Sequence, residues 1–260
     1  MDDPLKITRN GAVLEIVLER PKANAIDGAT SCRMGDVFAE FRDDPKLRVA
    51  ILTGGGDKFF SAGWDLKAAS QGEAYDSDYG VGGFGGLQEL PNLNKPVIGA
   101  INGMAVGGGF EIALACDIIL CADHARFAVP EINIGVLADA ATIKLPKRVP
   151  YHIAMEMLLT GRWMEVEEAK HWGLVNEVVP AGNLMRRARE VARLLAEGPP
   201  LVFACIKDAI RRTETLSVQE SFDLFKSGSC KSFNAMLTSE DAKEGPLAFA
   251  EKRKPVWKGY

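Results

Sequence analysis

The chain has 260 residues, of which 47% are apolar and 25% are charged, which is ordinary usage for a folded globular protein. This composition excludes a disordered, a fibrous and a disulfide-stapled protein, and it supplies enough apolar side chains for a full core. The net charge is −4, from 31 basic and 35 acidic residues that are mixed along the chain. Since no basic block exists that could follow a phosphate backbone, nucleic acid is not an expected partner.

The cysteines and histidines give no sign of a disulfide framework or a metal site. The 5 cysteines are scattered without a Cys-x-x-Cys pair, and the 3 histidines have no metal-ligand spacing. Residues 1–4 carry two acids where a leader peptide has bases, and the most apolar stretch, residues 97–122, is interrupted by polar residues and glycines. We therefore expect a cytoplasmic protein without a bound metal and without a membrane partner.

Short runs that are typical of β-strands alternate with helical segments through residues 13–179. The predicted strands are Val13–Leu18, Arg48–Thr53, Pro96–Ile101, Ile118–Cys121 and Leu174–Val179. The predicted helices between them are Ala29–Asp43, Gly109–Cys116 and Val166–His171. This alternation indicates an α/β fold with parallel strand pairing.

After residue 182 the pattern becomes helical. Apolar stripes predict helices at Leu184–Glu197, Leu201–Arg212 and Gln219–Ser227, with a Gly-Pro-Pro break after the first. We therefore predict two units, residues 1–197 and residues 198–260.

The glycine-rich stretch of residues 80–86 is expected to form a mobile loop. Its match to the dinucleotide-binding Gly-x-Gly-x-x-Gly pattern is weak, because no strand precedes it and no helix clearly follows. We therefore expect no dinucleotide site there.

The most informative segment is Asn102–Ala115, in which three glycines precede a helix that is apolar nearly all round. Such a helix is buried, and its first amides have no partner within the helix. Because glycine lets a ligand approach the backbone closely, residues 107–109 are candidate donors to a developing anion. Glu111 lies one turn further on, where burial makes its charge costly and favours a catalytic role over mere interaction with the helix dipole.

Two further segments gain weight beside this one. Residues 59–67 follow a strand and a glycine turn and resemble a second turn into a helix, although alone they fit a loop with a solvated Asp65 equally well. Residues 127–135 form a predicted extended run that places Glu131 on the same face as core residues. A strand-end glutamate is usually solvated, but two carboxylates that flank a substrate can divide the acid and base roles.

Together these segments resemble the crotonase, or enoyl-CoA hydratase/isomerase, superfamily. The resemblance runs from Glu19–Ala25 (ERPKANA) to Glu244–Arg253 (EGPLAFAEKR). Within the superfamily, Thr8–Gly11, Phe59–Ala68 (FFSAGWDLKA) and Pro246–Gly259 are most similar to the carnitinyl-CoA dehydratase subfamily. The resemblance implies an α/β spiral of ββα repeats with a C-terminal helical trimerisation region, assembled as a homotrimer or a dimer of trimers.

The resemblance also implies a role for each matching residue. The amides of Ala62 and Gly108 would hold the thioester oxygen. Glu111 would position and deprotonate the attacking water, and Glu131 would exchange a proton with the α-carbon. The residues expected to contact coenzyme A are Lys22, Ala23, Asn24, Gly63, Asp65, Phe249 and Lys252. No permanently bound cofactor is needed, since coenzyme A arrives as part of the acyl-CoA thioester.

The implied reaction is reversible addition of water to a 2,3-enoyl-CoA, with crotobetainyl-CoA and L-carnitinyl-CoA as the expected pair. A trimethylammonium group would be held by aromatic faces, and the candidates are Trp64, Tyr75, Tyr79 and Phe84. Two alternatives stay open: a short-chain enoyl-CoA hydratase of fatty-acid β-oxidation, and a catalytically silent CoA-binding homologue.

One departure from the family pattern bears on the substrate. After Gly135 the family continues with a proline and two glycines, whereas residues 136–146 here read VLADAATIKLP. Because this turn supports Glu131 and lines the acyl pocket, the sequence does not fix the preferred acyl group. Asp139 matches an acid of the carnitinyl-CoA subfamily, and it would orient water or the cation, or cap the helix that follows.

Overall fold

A computed structural model describes residues 3–260. Within this range the strands are β1 (Leu5–Asn10), β2 (Val13–Leu18), β3 (Val49–Gly54), β4 (Phe59–Ser61), β5 (Val97–Ile101), β6 (Met104–Val106), β7 (Ile118–Ala122), β8 (Arg126–Ala128), β9 (Trp163–Glu165) and β10 (Glu177–Val179). The helices are α1 (Gly28–Asp43), α2 (Leu66–Ser70), α3 (Gly108–Ala115), α4 (Asp139–Lys144), α5 (Tyr151–Thr160), α6 (Val166–His171), α7 (Leu184–Ala196), α8 (Pro200–Thr213), α9 (Val218–Lys226), α10 (Lys231–Thr238) and α11 (Glu240–Ala250).

The strands form two sheets that grow in step along the chain. One sheet has the order β1-β2-β3-β5-β7-β10, and the other has the order β4-β6-β8-β9. Three successive stretches give one strand to each sheet and then a helix: β3, β4 and α2; β5, β6 and α3; β7, β8 and α4. The pairs β2-β3, β3-β5, β5-β7, β4-β6 and β6-β8 are parallel, so each turn stacks on the one before. The predicted spiral of ββα repeats is confirmed.

Strand β3 is buried on both of its faces, as is typical of a parallel strand covered on each side. Ala50 and Leu52 belong to the main core, whereas Val49 and Ile51 belong to a second cluster that includes Ala188 of α7. The alternation follows from the two-residue repeat of a strand. Helix α7 therefore packs against the outer face of the larger sheet.

Helix α1 begins at Gly28, one residue before the predicted start. The Asp27 side chain caps it by accepting a hydrogen bond of 2.8 Å from the amide of Thr30. Met34, Phe38 and Phe41 lie on its buried face and are fully enclosed in the main core.

Three sequence expectations differ from the structure. Residues 80–86, expected to form a mobile loop, pack on α1, where a Cβ on Gly86 would lie 2.3 Å from the amide nitrogen of Gly35. The strand expected at Leu174–Val179 covers only Glu177–Val179. Residues 130–134 form a turn of 3₁₀ helix and not an extended run, because the proline at the start favours a helical turn there.

From α8 to α11 the chain consists of helices and short links, followed by a tail that folds back onto α11. The Asp241 carboxylate accepts the amides of Lys258 and Gly259, and Arg48 donates to the carbonyl of Trp257. The division into residues 1–197 and 198–260 stays a prediction. None of the helices in residues 3–260 is long and apolar enough to span a bilayer.

Candidate active site

Glu111 lies in the first turn of α3, a helix in which seven consecutive residues, 108–114, are buried. Its side chain is only 6% exposed, and Oε1 accepts a hydrogen bond of 2.8 Å from the amide of Ala141. Burial raises the pKa of Glu111 to about 7, with smaller contributions in the same direction from Glu131 and Asp139. A carboxyl group that is half ionised near neutral pH can both take up and release a proton.

Glu131 lies in the 3₁₀ turn and faces the same cavity as Glu111. Its Oε2 is buried and has no hydrogen-bond partner among residues 3–260. Burial raises the pKa of this carboxyl group, and the nearby charge of Asp139 adds to the effect. A buried polar atom without a partner is costly, and it marks Glu131 as a group that a ligand can satisfy.

The backbone amide donors differ from the expectation. The amide of Ala62 donates to the carbonyl of Ala23 at 2.9 Å, so the prediction that it is free to hold a thioester oxygen is wrong. Two residues on, the amide of Trp64 has no acceptor within residues 3–260, because the bridge at this point uses the neighbouring amide and carbonyl groups. The amide of Gly108 is likewise without an acceptor in the described chain, as expected for the first turn of a helix.

Glycines bring these two amides together. A Cβ on Gly63 would lie 2.6 Å from the amide nitrogen of Gly108, and a Cβ on Gly109 would lie 2.3 Å from the carbonyl oxygen of Ser61. No larger residue would allow this approach. Trp64 and Gly108 therefore form the free pair of donors at one cavity.

The cavity has a volume of about 740 Å³. The predicted site residues that line it are Ala62, Trp64, Tyr75, Tyr79, Phe84, Gly108, Glu111, Glu131 and Asp139. Its charged lining consists of five acids and one base: Asp76, Glu89, Glu111, Glu131, Asp139 and Lys144. A site of this size with a few polar groups at one end is typical of a small-molecule pocket.

The aromatic residues of the cavity are fixed by their own polar groups. Trp64 donates its indole N–H to Glu73 at 2.8 Å, Tyr75 donates its hydroxyl to the carbonyl of Leu137, and Tyr79 donates to the carbonyl of Tyr75 at 3.1 Å. Burial raises the pKa of both tyrosine hydroxyls to about 12, so they stay neutral. These side chains thus offer ring surface to a ligand.

Asp139 lies in the cavity as the first residue of α4. The residue in the capping position is Ala138, and the Asp139 carboxylate accepts the adjacent amide of Ala140 at 2.7 Å. Of the two alternatives, the side-chain cap is therefore wrong. The carboxylate remains available to water or to a cation.

The residues expected to contact coenzyme A are not brought together in the cavity. Asn24 is buried, and its side-chain amide donates to the carbonyls of Gly55 and Phe59 at 3.0 Å each, so it supports the backbone. Asp65 caps α2 and pairs with Arg20. The polar atoms of both side chains are thus engaged within the protein, and the contact of these two residues with coenzyme A stays a prediction.

The other residues expected to contact coenzyme A lie outside the lining of the cavity. Lys22 is exposed and Ala23 is half-buried, while Gly63 serves the close approach to α3. Phe249 and Lys252 are exposed on and after α11 and do not line the cavity. Their contact with the ligand stays a prediction.

Sequence reasoning missed several residues of the site. Ala141 and Lys144 lie in the segment that departs from the family pattern, and nothing local marks either as a partner of Glu111. Glu73 and Gln88 lie in irregular segments without a motif. The one available signal was the departure itself, which pointed to residues 136–146.

Comparison with known proteins agrees with this site. The sequence profile of the family described as enoyl-CoA hydratase/isomerase matches residues 8–260. The chain therefore belongs to the enoyl-CoA hydratase/isomerase family.

Its relatives include proteins of one particular name. Carnitinyl-CoA dehydratases of Salmonella arizonae and Escherichia coli O157:H7 are each 58% identical to it over the full length of both chains. An enoyl-CoA hydratase structure from Mycobacterium tuberculosis H37Rv has a TM-score of 0.90 at 36% identity, with both chains fully covered. A carnitinyl-CoA hydratase structure from Mycobacterium avium has a TM-score of 0.76 at 38% identity, again with full coverage.

Replacing Gly107 tests the close approach of Glu131 to α3. A Cβ there would lie 2.3 Å from Glu131 Oε1, at a backbone φ of +54° that disfavours a side chain. We expect Gly107→Ala to displace the carboxylate and to lower turnover of crotonyl-CoA by roughly 10- to 100-fold. The matched control is Gly182→Ala, whose new Cβ meets no atom within 4 Å. Equal turnover by the two variants would contradict this geometry.

Proposed function

We propose that the chain catalyses the reversible hydration of a 2,3-enoyl-CoA thioester, with crotobetainyl-CoA and L-carnitinyl-CoA as its substrate pair. The observation that carries the proposal is the buried carboxyl group of Glu111 and the half-buried one of Glu131, whose Oε2 is enclosed, beside two free backbone amides in one cavity. The full-length identity of 58% to carnitinyl-CoA dehydratases supports the choice of acyl group.

The thioester oxygen would accept hydrogen bonds from the amides of Trp64 and Gly108. Charge develops on this oxygen when the enolate forms, and each such donor can contribute roughly 3–4 kcal/mol at the transition state. Both amides are held by backbone packing before the ligand arrives, so they need no rearrangement during the reaction. Trp64 takes the role that the resemblance assigns to Ala62, because the amide of Ala62 is engaged.

The two carboxyl groups would divide the proton transfers. Glu111, as carboxylate, takes a proton from water while the water oxygen bonds to the β-carbon. The electron pair of the double bond moves to the enolate, and Glu131, as carboxylic acid, gives its proton to the α-carbon. One water is consumed, one proton passes to Glu111 and one leaves Glu131. The pair returns to its starting state when one proton passes from Glu111 to Glu131. Because the charge of Glu131 also raises the pKa of Glu111, the titrations of the two groups are coupled.

The lining of the cavity favours a cationic acyl group. Besides the two glutamates, Asp76, Glu89 and Asp139 line the cavity against one lysine, so acids outnumber bases around the acyl group. Trp64 and Tyr75 pack edge to face with 5.8 Å between their ring centroids, and Tyr79 and Phe84 do so at 5.3 Å. A trimethylammonium group has no hydrogen to donate, so ring faces and carboxylates are the groups that can hold it. A plain alkyl chain gains nothing from this charge.

The assembly and the location of the enzyme remain proposals. The helices after residue 198 expose large apolar side chains, among them Ile210, Val218, Phe222 and Leu237. Exposed apolar groups of this number favour burial against other copies of the chain, in a homotrimer or a dimer of trimers. Phe249 and Lys252 would then reach coenzyme A from this helical region. We propose that the enzyme acts in the cytoplasm, in carnitine metabolism.

The reaction is tested by mixing the protein with crotobetainyl-CoA and, separately, with crotonyl-CoA. Hydration should remove the absorbance of the conjugated thioester, and its rate should pass through a maximum as the pH is raised, because Glu111 must be ionised and Glu131 must be protonated. Glu111→Gln and Glu131→Gln should each lower turnover by roughly 100-fold or more. Glu167→Gln changes an exposed acid of α6 that does not line the cavity and should have little effect.

Lack of turnover with both substrates would defeat the proposed function. Turnover of crotonyl-CoA alone would instead support the short-chain hydratase alternative. An active Glu131→Gln variant would mean that another group donates the α-proton.

The role of the Trp64 ring is tested by the selectivity of a variant between two substrates and not by its total activity. Trp64→Leu keeps the backbone amide but removes the ring, so turnover of crotobetainyl-CoA should fall about tenfold relative to crotonyl-CoA. The ratio of the two kcat/KM values is the measurement, and crotonyl-CoA is the internal control. An unchanged ratio would remove the ring from the cation site.

The assembly is tested by light scattering during gel filtration. We expect a mass of three or six times the 28.2 kDa of the chain. Phe222→Asp should shift the protein to smaller species, because it buries a charge in the proposed interface. Asn183→Asp introduces the same charge at an exposed polar residue before α7 and should leave the mass unchanged. A monomeric wild type would contradict the proposed trimer.

A further inference from the structure

Gln88 and Lys144 form a polar pair in the cavity that the proposed reaction does not use. The ammonium group of Lys144 donates a hydrogen bond to Oε1 of Gln88. The other end of the amide, Nε2, is buried and has no acceptor among residues 3–260. Both side chains line the same cavity as Glu111. A half-buried ammonium group in such a place needs a physical reason, since its charge is costly to bury.

The backbone of α4 connects Lys144 to Glu111. The amide of Ala141 donates to Glu111 Oε1 at 2.8 Å, so this part of α4 faces the carboxylate directly. Lys144 is the last residue of this six-residue helix, and its side chain lines the same cavity as Glu111. Gln88 holds the ammonium group in the cavity and prevents it from turning to solvent. The lysine therefore acts on Glu111 through space, from a fixed position.

The charges around Glu111 are otherwise negative. Among the cavity-lining residues in the described chain, Lys144 is the only base. The titratable groups that act on Glu111 or on Lys144 come from several elements: Tyr75, Cys116, Glu131, Asp139 and Arg148. Without the lysine, burial and neighbouring carboxylates would all oppose ionisation of Glu111, leaving only the Ala141 amide in its favour.

We propose that Lys144, held in place by Gln88, is a positioning residue that keeps the Glu111 carboxylate charged, and so able to take a proton from water, at neutral pH. The catalytic consequence rests on the proposed function. The electrostatic claim concerns the protein without substrate. It also gives a role to the segment in which the chain departs from its family.

The mutual effect of the two charges agrees with this geometry. Burial raises the pKa of Glu111 to about 7, and Lys144 opposes that rise. Burial lowers the pKa of Lys144, and Glu111 is the leading group that opposes that fall. Each group thus favours the charged form of the other, as expected for opposite charges in a region of low dielectric.

The test replaces Lys144 with methionine, which keeps the length of the side chain and removes its charge. The ionisation of Glu111 is followed against pH by infrared difference spectra, each variant being compared with its own Glu111→Gln form. We expect the midpoint for Glu111 to rise by about half a pH unit or more in Lys144→Met. Lys144→Arg should keep it near the wild-type value. Lys144→Gln gives the same comparison if the methionine variant does not fold.

Two controls separate this effect from general damage. Lys147→Met removes an exposed lysine that is paired with Glu214, and it should leave the Glu111 midpoint unchanged. Gln88→Leu removes the acceptor that holds the ammonium group, so the midpoint should move upward as it does in Lys144→Met. An unchanged or lowered midpoint in Lys144→Met would overturn the proposal.

The pH profile of hydration provides the functional measurement. A rise of half a unit should lower turnover at pH 6 about threefold and change it by less than about twofold at pH 8.5. A uniform loss at all pH values would indicate a merely structural role and would overturn the proposal. The spectroscopic midpoint does not require turnover. If the wild type hydrates neither substrate while the midpoint shifts as expected, the proposed function fails and the role of Lys144 in charging Glu111 stands.

Discussion

The close packing of two glycine-bearing turns is the constraint on which the rest of the site depends. Strand β4 leads into residues 61–64 and strand β6 leads into α3, and the two strands are parallel neighbours in the smaller sheet. Their ends therefore emerge side by side, and Gly63 and Gly109 let the backbones touch. Any side chain at these places would separate the amides of Trp64 and Gly108. The spiral fold thus builds a donor pair from backbone alone.

Burial then sets the chemistry of the acids beside that donor pair. A glutamate in water is ionised at neutral pH, but the apolar surround of α3 shifts Glu111 into the range where it exchanges protons. Glu131 is shifted in the same direction by the same cause. The cost of keeping carboxyl groups so close is limited by the amide of Ala141 and the charge of Lys144. Burial of these carboxyl groups therefore makes them reactive and also destabilises the protein locally.

Much of this arrangement could be predicted from the sequence, and the failures have physical reasons. The role of Glu111 could be predicted because an apolar helix preceded by glycines is a local sequence pattern. The choice between Ala62 and Trp64 could not be predicted, because it depends on which amide donates to the carbonyl of Ala23, about forty residues earlier in the chain. Asn24 resembled a ligand contact, yet only the fold reveals the carbonyls that occupy its amide. Helix α4 is six residues long, too short for its periodicity to identify the buried face.

The aromatic side chains of the cavity have a consequence for how a ligand is selected. Glu73 holds the indole of Trp64, and the carbonyl of Leu137 holds the hydroxyl of Tyr75. Fixing a mobile side chain on binding costs about 0.5–1.5 kcal/mol of conformational entropy, and these two are fixed in advance. The cavity therefore has its shape before any acyl group enters it. Steric fit therefore adds to the selection by charge, and a head group wider than the cavity is excluded without any rearrangement of the protein.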